Sequence, residues 1–103
     1  VGNLVFCSGQ IPIVPETGNI VEGGIEEQAH QALKNVSNLL EAAGLSMKNV
    51  VKTSVFLADM GDFATVNGIY AQYFSEPYPA RSAVAVKTLP KNVMIEVEVI
   101  AEK

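Results

Sequence analysis

Two charged residues stand out because each lies in an otherwise apolar segment near the C-terminus of the chain. Arg81 lies within residues 78–84 and Glu96 within residues 94–101, and a turn at Leu89-Pro90-Lys91 separates the two segments. We expect these segments to form neighbouring strands, on which burial of either charge alone would cost several kcal/mol. Each charge must then be paired, lie near water, or face a cleft that receives a ligand of opposite charge. Because a guanidinium is a planar fork that matches a carboxylate, we interpret Arg81 as a carboxylate clamp.

Hydrophobic periodicity predicts the helices that support these strands. Residues 25–43 carry apolar side chains at three- and four-residue spacing, which is typical of an amphipathic helix. Glu26 lies in its first turn, where the helix dipole favours an anion, and Gly44 suits the left-handed position that ends a helix. Asp62 is suited to cap a second helix, which Pro77 ends. We expect the apolar stripe of this second helix to comprise Phe63, Val66, Ile69, Tyr70, Tyr73 and Phe74.

Five segments are predicted to be strands from their β-branched and aromatic residues and from the turns that bound them. They are residues 4–8, 11–14, 49–58, 81–86 and 93–101. With the two helices they give an α+β domain of order ββαβαββ, and right-handed crossovers place both helices on one face of an open sheet. The other face stays bare, and we expect it to carry Val84, Val86, Val97 and Val99. Such an exposed apolar face needs a partner subunit, so we infer a closed homo-oligomer.

The composition agrees with an oligomer and argues against several classes of protein. The 103 residues support one domain, and with 49% apolar and 17% charged residues the chain has more hydrophobic surface than a monomer readily hides. The net charge of −4 and the absence of a Lys/Arg cluster disfavour nucleic-acid binding. A single cysteine, Cys7, and a single histidine, His30, which we expect at the surface, leave no disulfide framework and no zinc site. No apolar run approaches the ~20 residues of a membrane span, so we expect a cytoplasmic protein. The chain begins with Val1 and not with Met, so we expect that an N-terminal segment is missing.

Five segments together resemble the RidA/YjgF family of imine and enamine deaminases. They are residues 2–12, residues 41–44, the pair of segments 51–53 and 62–67, and the stretch from Pro79-Ala80-Arg81-Ser82 through Leu89-Pro90 to Ile95-Glu96. The resemblance extends over essentially the whole chain. It implies a chorismate-mutase-like protomer, a homotrimer whose sheets form a central barrel, and three sites in the clefts between subunits.

The resemblance also implies a role for individual residues. Arg81 would bind the substrate carboxylate, Glu96 would hold or activate the attacking water, and Ser8 and Asn67 would line the cleft. Ala83 occupies a position where the family often has cysteine, so only its backbone amide can donate to a ligand there. The implied reaction hydrolyses 2-aminoacrylate and 2-iminobutanoate, which pyridoxal-phosphate-dependent dehydratases release, to 2-oxo acids and ammonia. The sequence offers no recognisable place for a metal or cofactor.

Each of these residues also has a structural interpretation. Arg81 could form an ion pair with a glutamate, and Glu98 shares a strand face with Glu96, so spacing does not separate the two glutamates. Ser8 could satisfy turn backbone and Asn67 could satisfy helix backbone.

Three functional hypotheses follow. The first is hydrolytic deamination of short 2-imino acids. The second is a non-catalytic module that binds a small carboxylate such as a 2-oxo acid or an amino acid. The third is a holdase or a ribonuclease, and the acidic charge and single histidine disfavour the ribonuclease.

Overall fold

The computed structural model describes residues 1–103, which fold into four strands and two helices. In chain order these are β1 (Leu4–Gln10), α1 (Ile25–Ala42), β2 (Val50–Leu57), α2 (Phe63–Tyr70), β3 (Ala80–Ala85) and β4 (Ile95–Glu102). Short 3₁₀ turns precede β2, α2 and β4. The observed order is therefore βαβαββ, one strand fewer than predicted.

The predicted strand at residues 11–14 is wrong, because this segment pairs with no strand of the sheet and is held by one isolated bridge and by the side chain of Asn35. Ile13 makes an isolated bridge to Ile20. The buried Asn35 of α1 donates through Nδ2 to the carbonyls of Ile11, at 3.1 Å, and Ile13, at 2.8 Å. Pro12 has no amide hydrogen to donate to a ladder. The backbone of this loop is thus satisfied without a second strand.

Helix α1 confirms the prediction at both of its ends. The amide of Gly24 donates to Oε1 of Glu27 at 2.8 Å, so a first-turn carboxylate satisfies the backbone where the helix begins. Gly44 has a φ of +79°, which is the left-handed conformation that a glycine adopts at low cost past a helix end.

Helix α2 is shorter than predicted, although its apolar stripe is largely as expected. After Tyr70 the backbone changes to tight turns, in which the amides of Gln72 and Tyr73 donate to the carbonyls of Ile69 and Tyr70 at 2.9 and 3.0 Å. The chain therefore leaves the helix seven residues before Pro77. Four residues of the predicted stripe are buried: Val66, Ile69, Tyr70 and Phe74.

The sheet has the order β1-β4-β2-β3, with β4 antiparallel to both of its neighbours and β2 parallel to β3. Strands β1 and β3 are consequently the two edges. The expectation that Arg81 and Glu96 lie on neighbouring strands is wrong, since β2 separates β3 from β4. The connection from β3 to β4 passes over β2 because β2 pairs with both of them.

Both helices pack on one face of the sheet, as predicted, and the core lies between the helices and the sheet. Alternate residues of β4 point into this core, so Val97 and Val99, each 1% exposed, face the helices and not the bare face where we had placed them. The outward face carries Phe6, 62% exposed, and Val84, 45% exposed. The core comprises Ala29, Ala32, Leu33, Val36, Leu40, Val50, Val55, Leu57, Val66, Ile69, Tyr70, Phe74, Ile95, Val97, Val99 and Ala101.

Candidate functional site

Arg81 lies on the edge strand β3 and points toward the helix side of the sheet. It is in register with Thr53 of β2, whose side chain is fully buried on that side. The guanidinium carbon lies 4.8 Å from the ring centre of Tyr70 and 5.2 Å from that of Phe63. Its Nη1 donates a 2.7 Å hydrogen bond to Oδ1 of Asn67. Helix α2 thus supplies three neighbours for one guanidinium.

A buried hydrogen bond fixes the ring beneath the guanidinium. The hydroxyls of Thr53 and Tyr70 are 2.9 Å apart, and the two residues are 0% and 7% exposed. Tyr70 also packs against Phe74, with 4.4 Å between ring centres. Each aromatic contact to an exposed guanidinium contributes about 0.5–1 kcal/mol, so the arginine is held by a rigid platform without a counter-charge.

The contacts of Arg81 leave most of its hydrogen-bonding capacity available. A guanidinium has five N–H donors, and Asn67, its hydrogen-bond partner, is neutral. The residue is also exposed to solvent. A positive charge with vacant, fork-shaped donors is suited to a carboxylate ligand.

The Arg81 side chain lines a cavity of about 430 Å³. This cavity is lined by Asn67, Tyr70, Ala71, Tyr78, Pro79 and Arg81. Ala83 lies two residues further along β3 and packs partly against the core. We refer to Asn67, Tyr70, Tyr78 and Arg81 as the clamp cluster.

A second cavity, of about 480 Å³, lies between α1, the start of β2 and residues 73–79. It contains Lys48 and Glu76, whose opposite charges favour no particular sign of ligand, and none of the predicted site residues. The smaller cavity is therefore the better candidate, since it combines a single positive charge with the residues that the sequence indicated.

Glu96 lies on the opposite face of the sheet from Arg81. It alternates along β4 with the buried Ile95 and Val97, and it is in register with Phe56 of β2. The glutamate is half-buried, whereas Glu98 is exposed. Its carboxylate lies so close to Gly9 that a Cβ at that position would overlap Oε2 of Glu96. This contact distinguishes Glu96 from Glu98, which spacing alone had not done.

A bulge in β1 brings Gly9 to this glutamate, and Ser8 precedes Gly9 in the same bulge. The β1–β4 register shifts between Cys7 and Gln10, so the two residues between them leave the regular ladder. Ser8 is exposed beside Gly9. We refer to Ser8, Gly9 and Glu96 as the carboxylate cluster.

The structure thus divides the predicted site residues into two groups. Arg81, Asn67 and Ala83 lie together on the helix side at one edge of the sheet. Ser8 and Glu96 lie on the outward face near the other edge. One small ligand cannot contact both clusters of the same chain, because the sheet lies between them.

The remaining reactive side chains lie outside both clusters. His30 is half-buried, and its Nδ1 is 2.9 Å from the hydroxyl of Tyr73, so the prediction of a surface histidine is wrong. Burial raises the pKa of the Cys7 thiol and that of the Tyr73 hydroxyl. No group of three or more His, Cys, Asp or Glu side chains is arranged to hold a metal ion. No helix is both long and apolar enough to cross a membrane.

Tyr70, Tyr78 and Gly9 are members of the clusters that the sequence did not indicate. Its helical spacing predicts that Tyr70 lies in the core, and the burial of Tyr70 confirms this. The spacing does not reveal that the guanidinium of Arg81 lies over the Tyr70 ring. A glycine directly after a candidate polar residue is a signal of close approach, and Gly9 follows Ser8 in this way.

Comparison with known proteins relates this geometry to a family. The protein-family model described as Endoribonuclease L-PSP matches residues 1–103. A RutC family protein from Pyrococcus horikoshii is 55% identical over 99% of this chain and 81% of its own length. The human 2-iminobutanoate/2-iminopropanoate deaminase is 52% identical over 98% of this chain and 74% of its own length.

Solved structures of similar proteins have the same fold. RidA from the Antarctic bacterium Psychrobacter sp. PAMC 21119 superposes with a TM-score of 0.96 at 46% identity, over all of this chain and 83% of that one. TdcF from E. coli, solved with bound serine, superposes with a TM-score of 0.92 at 46% identity over the same shares of the two chains.

Proposed function

Since the chain belongs to the RidA/YjgF family, we propose that it hydrolyses small reactive 2-imino acids, such as 2-iminobutanoate and 2-iminopropanoate, to 2-oxo acids and ammonia. The observation that carries the proposal is Arg81, an exposed guanidinium held by neutral partners at the mouth of a cavity. Relatives that are 50% to 52% identical carry the name of this deaminase.

In the proposed mechanism Arg81 binds the substrate carboxylate through two parallel hydrogen bonds. Asn67 holds Nη1, and the ring of Tyr70 supports the guanidinium plane. Enamine substrates first tautomerise to imines. Fixing the carboxylate places the imine carbon at a set distance from the clamp, and this positioning accounts for much of the proposed rate enhancement.

Glu96 is proposed to orient the attacking water and to carry its protons, one at a time, to the nitrogen. Water adds to the C=N carbon, a C–O bond forms, and the nitrogen takes up the proton that the water loses. The hydroxyl of the resulting carbinolamine then gives its proton to the nitrogen through Glu96, the C–N bond breaks, ammonia leaves, and the carbonyl of the 2-oxo acid forms. Ser8, which precedes Gly9 in the β1 bulge, is proposed to hydrogen-bond the same water.

A complete site requires two copies of the chain. The two clusters lie on opposite faces of one sheet, so Glu96 of one copy must approach Arg81 of another. Phe6 and Val84 on the outward face provide apolar surface that such an assembly would bury. We propose a homotrimer with a central barrel, since a cyclic arrangement repeats one head-to-tail contact and closes.

The proposed substrates indicate the metabolic partners. Pyridoxal-phosphate-dependent dehydratases release enamines of serine and threonine, so we propose that this protein acts on their products in the cytoplasm. The bound serine in TdcF supports the class of ligand, because serine is a small α-amino carboxylate.

The test couples a threonine dehydratase to this protein and follows 2-oxobutanoate formation. We expect acceleration by the intact protein and its loss in Arg81→Ala. The matched control is Lys48→Ala, which removes a cation from the other cavity and should leave the rate unchanged. Full acceleration by Arg81→Ala would refute the clamp, and no acceleration by the intact protein would refute the deaminase.

A second candidate is a non-catalytic module for small carboxylates. It is favoured by the clamp cluster, which is complete within one chain, whereas Glu96 is remote from it. This candidate predicts binding of 2-oxobutanoate that depends on Arg81, without any acceleration in the coupled assay.

The description of the family as an endoribonuclease makes RNA cleavage a third candidate. The net charge of −4 opposes the phosphate contacts that RNA binding requires. Incubation with single-stranded RNA tests RNA cleavage directly, and cleavage that Arg81→Ala abolishes would favour it over the deaminase.

The holdase hypothesis has its own test. Failure of this protein to suppress the aggregation of an unfolded client protein would eliminate it.

A further inference from the structure

Helix α1 carries two buried polar side chains, Gln28 and Asn35, which are 7% and 9% exposed. They are seven residues apart, so they lie on the same face of the helix. Burial of an amide is unfavourable unless the amide is hydrogen-bonded, and both side chains find their partners outside the helix. These partners are backbone groups at the end of β1 and at the start of β4.

Asn35 holds the chain that follows β1. Both N–H groups of its amide are used, since Nδ2 donates to the carbonyls of Ile11 and Ile13 at 3.1 and 2.8 Å. Its Oδ1 accepts a hydrogen bond from Nε2 of Gln31 at 2.9 Å, which fixes the orientation of the amide. The segment after β1 is therefore attached to α1 by a fully bonded side chain.

This attachment begins where the ladder between β1 and β4 stops. The last ladder pair is Gln10 with Val97, and Glu96 lies one residue beyond it on β4. The Glu96 carboxylate lies against Gly9, in the bulge where the β1–β4 register shifts. Regular strand pairing therefore does not fix the space that the carboxylate occupies.

Gln28 holds the start of β4. Its Oε1 accepts a hydrogen bond from the amide of Met94 at 2.8 Å, two residues before Glu96. The preceding residues Lys91 and Asn92 have φ of +56° and +55°, which non-glycine residues adopt only where the surrounding structure holds them. The contact with Gln28 thus anchors β4 directly after a strained turn.

We propose that Gln28 and Asn35 are positioning residues for the Glu96 carboxylate. They attach the two backbone segments beside Glu96 to one helix, and in this way they set the width of the space at Gly9. This role rests on the proposed deaminase function, in which Glu96 orients the attacking water. Neither residue lines the cavity at Arg81, so substrate binding should not depend on them.

Two substitutions of Gln28 test the hydrogen bond to Met94. Gln28→Met keeps the length of the side chain and removes the acceptor, whereas Gln28→Glu keeps an oxygen in the place of Oε1. Gln28→Met should lower kcat by roughly 10- to 100-fold, because a misplacement of about 1 Å can cost about 10²-fold. Binding of 2-oxobutanoate should be unchanged, and Gln28→Glu should keep kcat close to that of wild type.

Asn35→Ala tests the other attachment independently and should show the same loss of kcat with unchanged binding. The matched control is Val36→Ala, since Val36 is 1% exposed in the core beside Asn35 and takes part in neither attachment. It should lower the melting temperature and leave kcat unchanged. Sizing of each variant checks that its assembly is that of wild type.

The carboxyl carbon resonance of Glu96 gives a readout that needs no turnover. NMR of protein labelled with ¹³C at glutamate measures this resonance and its titration, and Glu96→Gln assigns it. We expect both to change in Gln28→Met and Asn35→Ala and to stay at the wild-type position in Val36→Ala.

The outcomes separate this role from the proposed function. Wild-type kcat in both Gln28→Met and Asn35→Ala, or a loss of kcat that Val36→Ala shares, overturns the positioning role and leaves the deaminase intact. If Gln28→Met does not fold, Asn35→Ala decides by the same measurements. No hydrolysis by the wild-type protein overturns the deaminase, and the Glu96 resonance then decides the positioning role alone: a changed resonance supports it and an unchanged one overturns it.

Discussion

The clamp cluster and the carboxylate cluster are built in different ways. In the clamp cluster, side chains of α2 hold Arg81, and the buried Thr53–Tyr70 hydrogen bond fixes the platform beneath it. In the carboxylate cluster, a backbone bulge and Gly9 make room for Glu96. In the clamp cluster, specific side-chain contacts hold the guanidinium in place. In the carboxylate cluster, the Glu96 carboxylate occupies space that the backbone leaves open at Gly9.

In the proposed function, this difference separates recognition from reaction. The clamp cluster lies within one chain, so we expect anion binding to depend little on assembly. In the proposed mechanism, the carboxylate cluster acts on that ligand only when a second copy brings it to the cavity. Binding and turnover should therefore respond differently to changes in each cluster.

The largest expected effect comes from mixing two inactive variants. Arg81→Ala and Glu96→Gln should each be inactive, but their co-assembly should restore activity at about a quarter of the sites, where an intact arginine meets an intact glutamate from the next copy. Activity after joint unfolding and refolding measures this recovery. Variants refolded separately serve as the control, and no recovery in the mixture would contradict a site that two copies share.

Substitution of the two neighbouring glutamates should separate their roles. Glu96→Gln should lower kcat by about 10²–10⁴-fold, because the amide cannot accept a proton from water, while binding of 2-oxobutanoate is retained. Glu98→Gln is the matched control on the same strand face and should stay near the wild-type rate. Equal losses in both variants would contradict the assignment of Glu96.

Gly9→Ala should impair turnover without affecting the clamp. The added methyl group must displace the Glu96 carboxylate, and a misplacement of about 1 Å can cost about 10²-fold in rate. Calorimetry should show unchanged 2-oxo acid binding alongside the reduced kcat. An equally large loss of binding would mean that Gly9 supports both clusters.

Tyr70→Phe should affect stability more than activity. It removes the hydroxyl that pairs with Thr53 and leaves a buried hydroxyl unsatisfied, which should lower the free energy of unfolding by about 1–3 kcal/mol. The ring under Arg81 remains, so kcat/KM should change little. Urea unfolding measures the loss, and adding Thr53→Val should cost less than the sum of the two single changes.

The smallest expected effect concerns Cys7, which alternates with Ser8 and faces the core. Because burial raises the pKa of this thiol, it should be almost fully protonated at pH 8 and react with iodoacetamide more slowly than the same thiol in urea. The raised pKa also means that stability should fall as the pH rises above about 9, where only the unfolded thiol ionises. Equal rates in both states would contradict the inward orientation.

The sequence by itself determined the local elements and the candidate chemistry. Helix α1 was predicted with both ends because its 3.6-residue period and terminal signals are local properties. Arg81 and Glu96 were selected because charges in apolar strands are costly. Alternation also placed Glu96 and Glu98 on one face, which the structure confirms.

The tertiary structure alone decided which face and which neighbour each residue has. Alternation shows that Val97 and Val99 share a face, but a two-residue period is symmetric and does not tell which face the helices cover. Strand order depends on non-local pairing, so the insertion of β2 between β3 and β4 had no local signal. Those two facts separate Arg81 from Glu96 within the chain. The proposed site uses both residues and would therefore depend on how copies of the chain assemble.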